Sequence, residues 1–251
     1  MSIQLLAFDL DGTLTQHRSA LPAAHRTLLL SLRQQYRLLI VGAGTCARIF
    51  RQTEGLPADV IGCYGMEFGL YNEAAKTLDM VFSHVVPVDR EDILSRVAGL
   101  RDRFGYTLYS GESVEFHPSG MITVPLLGTA AKLEDKLAFD PDRKKRRAIY
   151  DDVCALFPDY NVIAGGSSSF DLSPQPYNKA AALHDYCQRY AIPSDALLYF
   201  GDDAGRGGGD ESVFLDPAFR LIVVPDYRLF PEKLRENLPA AAEDSLKTAN
   251  T

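Results

Sequence analysis

The segment Ile3 to Leu10 is apolar except for Gln4 and Asp9, and it stops at Asp11-Gly12. A run this short and this uninterrupted suits a strand buried on both faces, as in a parallel sheet covered by helices. The following residues agree with that choice. Leu21 to Gln35 carries Pro22 near its start and Leu21, Leu28, Leu29 and Leu32 at helical spacing. Leu38 to Val41 is a second apolar run, Arg48 to Glu54 reads as a short helix, and Val60-Ile61 as a third strand. Strand, helix, strand in the first 60 residues predicts βαβ units and hence an α/β fold with a parallel sheet.

The middle of the chain has another grammar. Val114 to His117 and Met121 to Val124 flank Pro118-Ser119-Gly120 and read as an antiparallel hairpin. Helices are expected over Glu91 to Phe104 and Leu133 to Phe157, and a second strand pair at Asn161 to Ile163 and Ser169 to Leu172. Helix resumes at Lys179 to Tyr190, then strands at Ala196 to Phe200 and Leu221 to Val224. The pattern predicts a core domain built from 1–82 and 177–251, interrupted by an inserted α+β domain over 83–176. The tail from Pro239 is expected to fray.

Composition narrows the function. With 26 Lys+Arg against 33 Asp+Glu the chain carries a net charge of −7, so it has no global attraction for a polyphosphate backbone, and no nucleic-acid partner is expected. No apolar run approaches the ~18 residues of a membrane span, and the N-terminus places Asp9 and Asp11 where a signal peptide needs an apolar stretch. A cytoplasmic location without membrane attachment is expected. Cys46, Cys63, Cys154 and Cys187 form no CxxC pair, and the five histidines form no HxH or HExxH spacing, so neither a zinc site nor a disulfide frame is indicated.

The chemistry concentrates where the first strand ends. In an open α/β sheet ligands bind beyond the carboxyl ends of the strands, and Asp9-Leu10-Asp11-Gly12-Thr13 sits there. Two carboxylates so placed suit phosphoryl transfer through an aspartyl phosphate. Asp9 would attack phosphorus, and Asp11 would move the proton of the leaving or attacking oxygen, with Gly12 breaking the strand so that Asp11 turns toward the same pocket. Carboxylate and phosphate repel by about 4 kcal/mol per unit-charge pair at ~4 Å and an effective dielectric of ~20, so a cation must stand between them. Mg²⁺ is the natural one, and Gly201-Asp202-Asp203 with Asp210 forms an acidic, glycine-rich loop at another strand end that suits it.

The run Asp9 to Thr15 is the signature of the haloacid dehalogenase-like (HAD) phosphotransferase superfamily, which this sequence resembles. The superfamily's remaining elements match Gly44-Thr45 as a phosphate-binding loop, Lys179 as the residue that neutralises phosphate, and Asp202 with Asp210 as metal ligands beside Asp9 and Asp11. A closer resemblance runs along nearly the whole chain, to the eukaryotic-type phosphomannomutases. It is carried by Asp9 to Thr15 with Arg18, by Val41 to Gly44, by Glu115-Phe116 and Gly120 to Val124, by Gly165 to Asp171, and by Tyr199 to Asp202 with Gly207 to Asp210. The resemblance implies a Rossmann-like core with an inserted C2-type cap, a Mg²⁺ cofactor, a small phosphorylated substrate, and a homodimer through the cap. It implies substrate contacts at Arg18, Ser169 and Asp171.

The sequence also departs from that family. Two cap arginines that hold the sugar's second phosphate are replaced by Thr129 and Lys136, a further one falls near His117-Pro118, and the serine of the phosphate loop is Gly44. Arginine grips phosphate bidentately and lysine only as a point charge. A mutase must hold both ends of a bisphosphate, whereas a phosphatase needs one phosphate site and a water. The expectation is therefore a Mg²⁺-dependent phosphatase acting on a sugar phosphate through phospho-Asp9. The alternatives are a phosphomannomutase and, in another class, a sugar-phosphate-binding protein without turnover. Lys136 and one residue of the basic run Arg143 to Arg147, either Arg143 or Arg147, are expected to supply cap charge, the run as a whole reading as a solvated helix surface.

Overall fold

The computed structural model of the chain describes residues 2–238; the tail expected to fray from Pro239 lies outside them. Strands β1 (Leu5–Phe8), β2 (Arg37–Val41), β3 (Asp59–Gly62), β4 (Glu67–Asn72) and β5 (Thr77–Ser83) come first. Then follow β6 (Glu115–Phe116), β7 (Ile122–Pro125), β8 (Tyr160–Ile163), β9 (Ser169–Pro174), β10 (Leu197–Gly201) and β11 (Arg220–Val223). The helices are α1 (Ala23–Leu32), α2 (Cys46–Gln52), α3 (Arg90–Phe104), α4 (Leu133–Phe139), α5 (Lys144–Ala148), α6 (Tyr150–Leu156), α7 (Lys179–Arg189), α8 (Glu211–Leu215) and α9 (Phe230–Asn237). The described residues divide into two compact units. One runs through Ser83 and continues as Lys179–Ala204 and from Asp210; the other is His84–Asn178 together with Gly205–Gly209.

The first unit is built on a seven-stranded sheet in the order β11-β10-β1-β2-β3-β4-β5. The members from β11 to β3 are parallel, and β4 and β5 extend the sheet antiparallel. Successive residues alternate between two apolar layers, which is why β1 reads as apolar throughout. Leu6, Phe8, Leu38, Ile40, Leu198 and Phe200 pack with Leu29 and Leu32 of α1, Ile49 of α2 and Phe230 of α9. Leu5, Ala7, Leu39, Val41, Leu197 and Tyr199 pack with Leu183 and Tyr186 of α7. The β4–β5 hairpin has no counterpart in the sequence reading; its turn is an Asx turn in which Asn72 Oδ1 accepts from the amides of Ala74 and Ala75. Because β1 lies between β10 and β2, the strand order reverses there, and the carboxyl ends of β1 and β10 frame the switch point where ligands enter such sheets.

The second unit is a four-stranded antiparallel sheet in the order β6-β7-β9-β8. One face is apolar: Ile122, Val124, Phe170 and Leu172 pack with Ile93, Val97 and Leu100 of α3 and Val153 of α6. The sequence reading placed a single helix over Leu133 to Phe157, and the chain instead forms α4, α5 and α6. Asp140 precedes Pro141, a position that disfavours helix, and adopts φ −151° and ψ 62°. The Asp140 carboxylate then accepts from the amides of Lys145 and Arg146 at the start of α5.

Candidate active site

Asp9 follows β1 directly and is 8% exposed. Its amide is held by the carbonyl of Phe200 in the neighbouring β10 (2.8 Å). Lys179, the first residue of α7, is buried and donates from Nζ to Asp9 Oδ1 (2.5 Å) and to Asp210 Oδ1 (2.7 Å). The Tyr199 hydroxyl donates to the same Asp210 oxygen (2.7 Å), and the Asp203 amide donates to Asp210 Oδ2 (3.0 Å). Asp202, just past the end of β10, accepts from Thr13 Oγ1 at 3.2 Å. One carboxylate oxygen from each of Asp9, Asp202 and Asp210 lies within 4.8 Å of the others.

Three buried or half-buried carboxylates against one ammonium leave this cluster short of positive charge. Burial pushes the Asp9 carboxyl well up; Lys179 offsets this in part, and Asp210 and Asp202 push it further. Burial works against the Lys179 ammonium, but Asp210 and Asp9 outweigh it and hold the proton on. Asp210 is held low despite its burial, by Lys179, by Tyr199 and by the Asp203 amide. An all-oxygen donor set with excess negative charge fits a hard divalent cation.

Asp11 lies apart from this cluster. The sequence reading counted it with the metal-binding carboxylates, but its side chain is turned to other partners. Oδ1 accepts from the Arg18 amide (2.7 Å) and from Gln52 Nε2 (2.8 Å), and Oδ2 from Arg48 Nη2 (3.2 Å). Burial alone would raise its pKa; these hydrogen bonds and the Arg48 charge bring it below the ordinary carboxylate value. Arg48 and Gln52 are four residues apart on α2 and so share a face, a spacing present in the sequence whose meaning appears only once α2 is placed. Gly12, directly after Asp11, lies against Asp202. Its φ is +106°, and a Cβ there would meet the Asp202 carboxylate at 2.7 Å.

Gly44 and Thr45 lie between β2 and α2, in the expected loop. Their neighbourhood is already engaged: Thr45 Oγ1 accepts from the Arg48 amide (3.2 Å) as the cap of α2, and the Cys46 amide donates to Glu67 Oε2 (2.7 Å). Arg18 contributes its amide to Asp11, while its side chain is exposed. In the second unit Ser169 Oγ donates to the Gly165 carbonyl (3.0 Å), and Asp171 Oδ1 accepts from Thr123 Oγ1 (2.9 Å). Arg143 is half-buried with φ +60° ahead of α5. The basic run is not wholly a solvated surface. Arg146 is 0% exposed, pairs through Nε with Asp140 Oδ2 (2.9 Å), and donates from Nη1 to the carbonyls of Gly165, Gly166 and Ser169.

Comparison with known proteins adds an independent line. The family model for eukaryotic phosphomannomutase matches residues 99–225. The chain belongs to this family. A probable phosphomannomutase of Caenorhabditis elegans is 26% identical over 234 residues, covering 84% of this chain and 86% of that one. Phosphomannomutase 1 of Homo sapiens is 25% identical over 230 residues, covering 85% and 84%. Among solved structures, an IMP-bound, N-terminally truncated IMP-nucleotidase of Plasmodium falciparum superposes with a TM-score of 0.65 at 17% identity, over 93% of this chain and 68% of that one. A HAD-superfamily phosphatase of Bacteroides thetaiotaomicron gives a TM-score of 0.57 at 16% identity, over 87% and 82%. These structural likenesses show the HAD fold. The chain is thus an enzyme of the phosphomannomutase family and the HAD superfamily, which performs phosphoryl transfer.

The two positions of the second unit where the resemblance calls for arginine are neighbours. Lys136 Nζ donates to the Thr129 carbonyl (3.0 Å), and Thr129 Oγ1 accepts from the Glu112 amide (2.9 Å). Sequence reasoning missed Arg48, Gln52, Thr13 and Tyr199 as partners of the acids. Thr13 falls inside the Asp9 to Thr15 run and Tyr199 opens the Tyr199 to Asp202 run, so both carried a signal.

Proposed function

We propose that this protein is a Mg²⁺-dependent phosphotransferase of hexose phosphates that interconverts mannose 6-phosphate and mannose 1-phosphate through phospho-Asp9. The observation that supports it most is the single ammonium of Lys179 bridging Asp9 and Asp210 beside Asp202, in a chain whose curated relatives are named phosphomannomutases. In this reading an Asp9 oxygen attacks phosphorus and the ester P–O bond breaks. Asp11 gives a proton to the departing sugar oxygen. In the return step Asp11 takes the proton of the incoming hydroxyl as the phosphoryl group leaves Asp9. The ionised, hydrogen-bonded Asp11 described above corresponds to the base state. Asp9, Asp202 and Asp210 would hold Mg²⁺, which supplies charge neutralisation between carboxylate and phosphate. Lys179 fixes one Asp9 oxygen and adds positive charge where the phosphate arrives. Gly44, Thr45 and Arg18 belong to this reading as phosphate and substrate contacts, as do Ser169, Asp171, Lys136 and Arg143 in the second unit acting as a cap.

A second reading, hydrolysis of a sugar phosphate, is favoured by one feature. The Lys136 ammonium is committed to the Thr129 carbonyl, where the resemblance calls for two arginines, so a bidentate grip on a second phosphate is missing there. A cytoplasmic homodimer joined through the cap completes the proposal. Leu133 and Leu137 of α4 are 68% and 52% exposed, and no helix of the described residues is long and apolar enough to cross a membrane.

Phosphorus NMR of mannose 1-phosphate incubated with enzyme and Mg²⁺, with and without a hexose bisphosphate, decides between the readings. Appearance of mannose 6-phosphate stimulated by the bisphosphate supports the mutase. Accumulation of inorganic phosphate alone supports the phosphatase and ends the mutase reading. Neither product from any hexose phosphate tested removes both.

A further inference from the structure

The second unit's sheet presents polar residues on the face opposite its core, and three of them form a directed chain. His117, Thr123 and Asp171 are all partly exposed, and Thr123 stands directly opposite Asp171 in the β7–β9 register. Thr123 Oγ1 lies 2.9 Å from Asp171 Oδ1 and 3.0 Å from His117 Nε2. An ionised carboxylate only accepts hydrogen bonds, so the hydroxyl's one proton goes to Asp171. The hydroxyl oxygen must then accept from His117, which assigns the proton to Nε2. Glycine at 165 leaves room for the second Asp171 oxygen, since a Cβ there would lie 2.2 Å from Oδ2. The Thr123 hydroxyl thus orients the carboxylate through Oδ1.

We propose that His117 and Thr123 are positioning residues that set the enzyme's preference for a polyhydroxylated phosphate ester by holding Asp171 as an oriented acceptor for sugar hydroxyls. The inference rests on the reading of Asp171 as a substrate contact and goes beyond it, because neither His117 nor Thr123 touches substrate in that reading. A carboxylate in this role rejects phosphate and accepts from hydroxyl donors, so it selects the sugar rather than the phosphoryl end. The chain is specific in composition. Serine can replace threonine in the relay, valine cannot, and glutamine can offer an amide N–H where histidine offers Nε2–H.

The test is steady-state kinetics of the full chain with two substrates, the mannose phosphate turned over by the wild type and phenyl phosphate, which offers Asp171 no hydroxyl. Thr123→Val is expected to raise KM for the hexose phosphate about fivefold, the factor that a typical intramolecular hydrogen bond carries, with a much smaller rise for phenyl phosphate. Thr123→Ser and His117→Gln are expected to return KM to near the wild-type value, and His117→Leu to repeat the loss. Circular dichroism and melting of each variant check folding, and the serine variant keeps the comparison meaningful if the valine variant is unstable. Equal losses on both substrates overturn the proposal. So does a wild-type hexose KM in Thr123→Val when Asp171→Asn raises it. If Asp171→Asn itself leaves hexose KM unchanged, it is the substrate-contact reading that fails.

Discussion

Replacing Arg146 by methionine is expected to cost the second unit about 4–5 kcal/mol, the upper part of the range for removing one partner of a buried ion pair. The guanidinium is completely buried and lies 2.9 Å from an Asp140 carboxylate that is itself 2% exposed. Its loss leaves that carboxylate with two amide donors and no countercharge. It also takes a donor from the carbonyls of Gly165, Gly166 and Ser169; Gly165 keeps the Ser169 hydroxyl. Orphaned buried acceptors add to the cost, and methionine fills most of the vacated volume, so the effect is electrostatic rather than a cavity. A loss of this size approaches the whole stability of a small domain. Lys144→Ala, two residues away in the same basic run, removes a side chain that is 84% exposed and should shift stability by less than about 0.5 kcal/mol. Urea unfolding followed by circular dichroism compares the two. Asp140→Leu combined with Arg146→Met should recover part of the loss, since no buried charge is then unpaired. Equal unfolding midpoints for Arg146→Met and Lys144→Ala would refute the reasoning.

Other outcomes follow from the same geometry. Asp9→Asn should leave no phosphoenzyme detectable by mass spectrometry after substrate is added, and Asp11→Asn should slow transfer by roughly 10²–10⁴-fold while phosphate binding persists. Gly12→Ala should lower activity about 10²-fold and raise the Mg²⁺ needed for half-maximal rate, because its Cβ would displace the Asp202 carboxylate; wild-type Mg²⁺ dependence would contradict the placement of Asp202. Excess EDTA should abolish turnover and added Mg²⁺ restore it, and full activity in EDTA would contradict the cation. Asp140 is held below the ordinary carboxylate value: burial acts to raise it, and the Arg146 side chain with the Lys145 and Arg146 amides outweighs that. A carboxyl depressed on folding stabilises the native state above its unfolded pKa of about 3.9 and loses that contribution as pH falls toward the folded value. The urea midpoint of the wild type should therefore drop more steeply below about pH 4 than that of Asp140→Asn; parallel curves would count against this.

The parallel sheet and the positions of Asp9, Asp202 and Lys179 at strand ends and a helix start were legible because they depend on local signals. Apolar runs fix the strands, Gly and Asp punctuate them, and the reversal of strand order then gathers their ends. Side-chain direction was not legible. Asp11 was expected to turn toward Asp9, but the face of α2 carrying Arg48 and Gln52 holds it elsewhere, and that depends on how α2 packs against β3. Arg146 looked like its charged neighbours in sequence, and only the turn at Asp140-Pro141 gives it an interior partner. That turn did carry a signal in Pro141, masked by helical spacing on both sides. The β4–β5 hairpin was overlooked because the β5 residues are largely exposed, so its strands lack the buried apolar run that marked the others.

Strand β1 pairs on one side with β2 and on the other with β10, Phe8 lying opposite Phe200. On a ribosome adding about 5–20 residues per second, the roughly 190 residues between those partners take on the order of 10–40 s to appear. Throughout that interval Leu5–Phe8 has one edge without its mate, an invitation to stray pairing that a growing chain must survive by shielding or by speed. The strand that leads into Asp9 thus gains its second neighbour only after most of the intervening chain has been made.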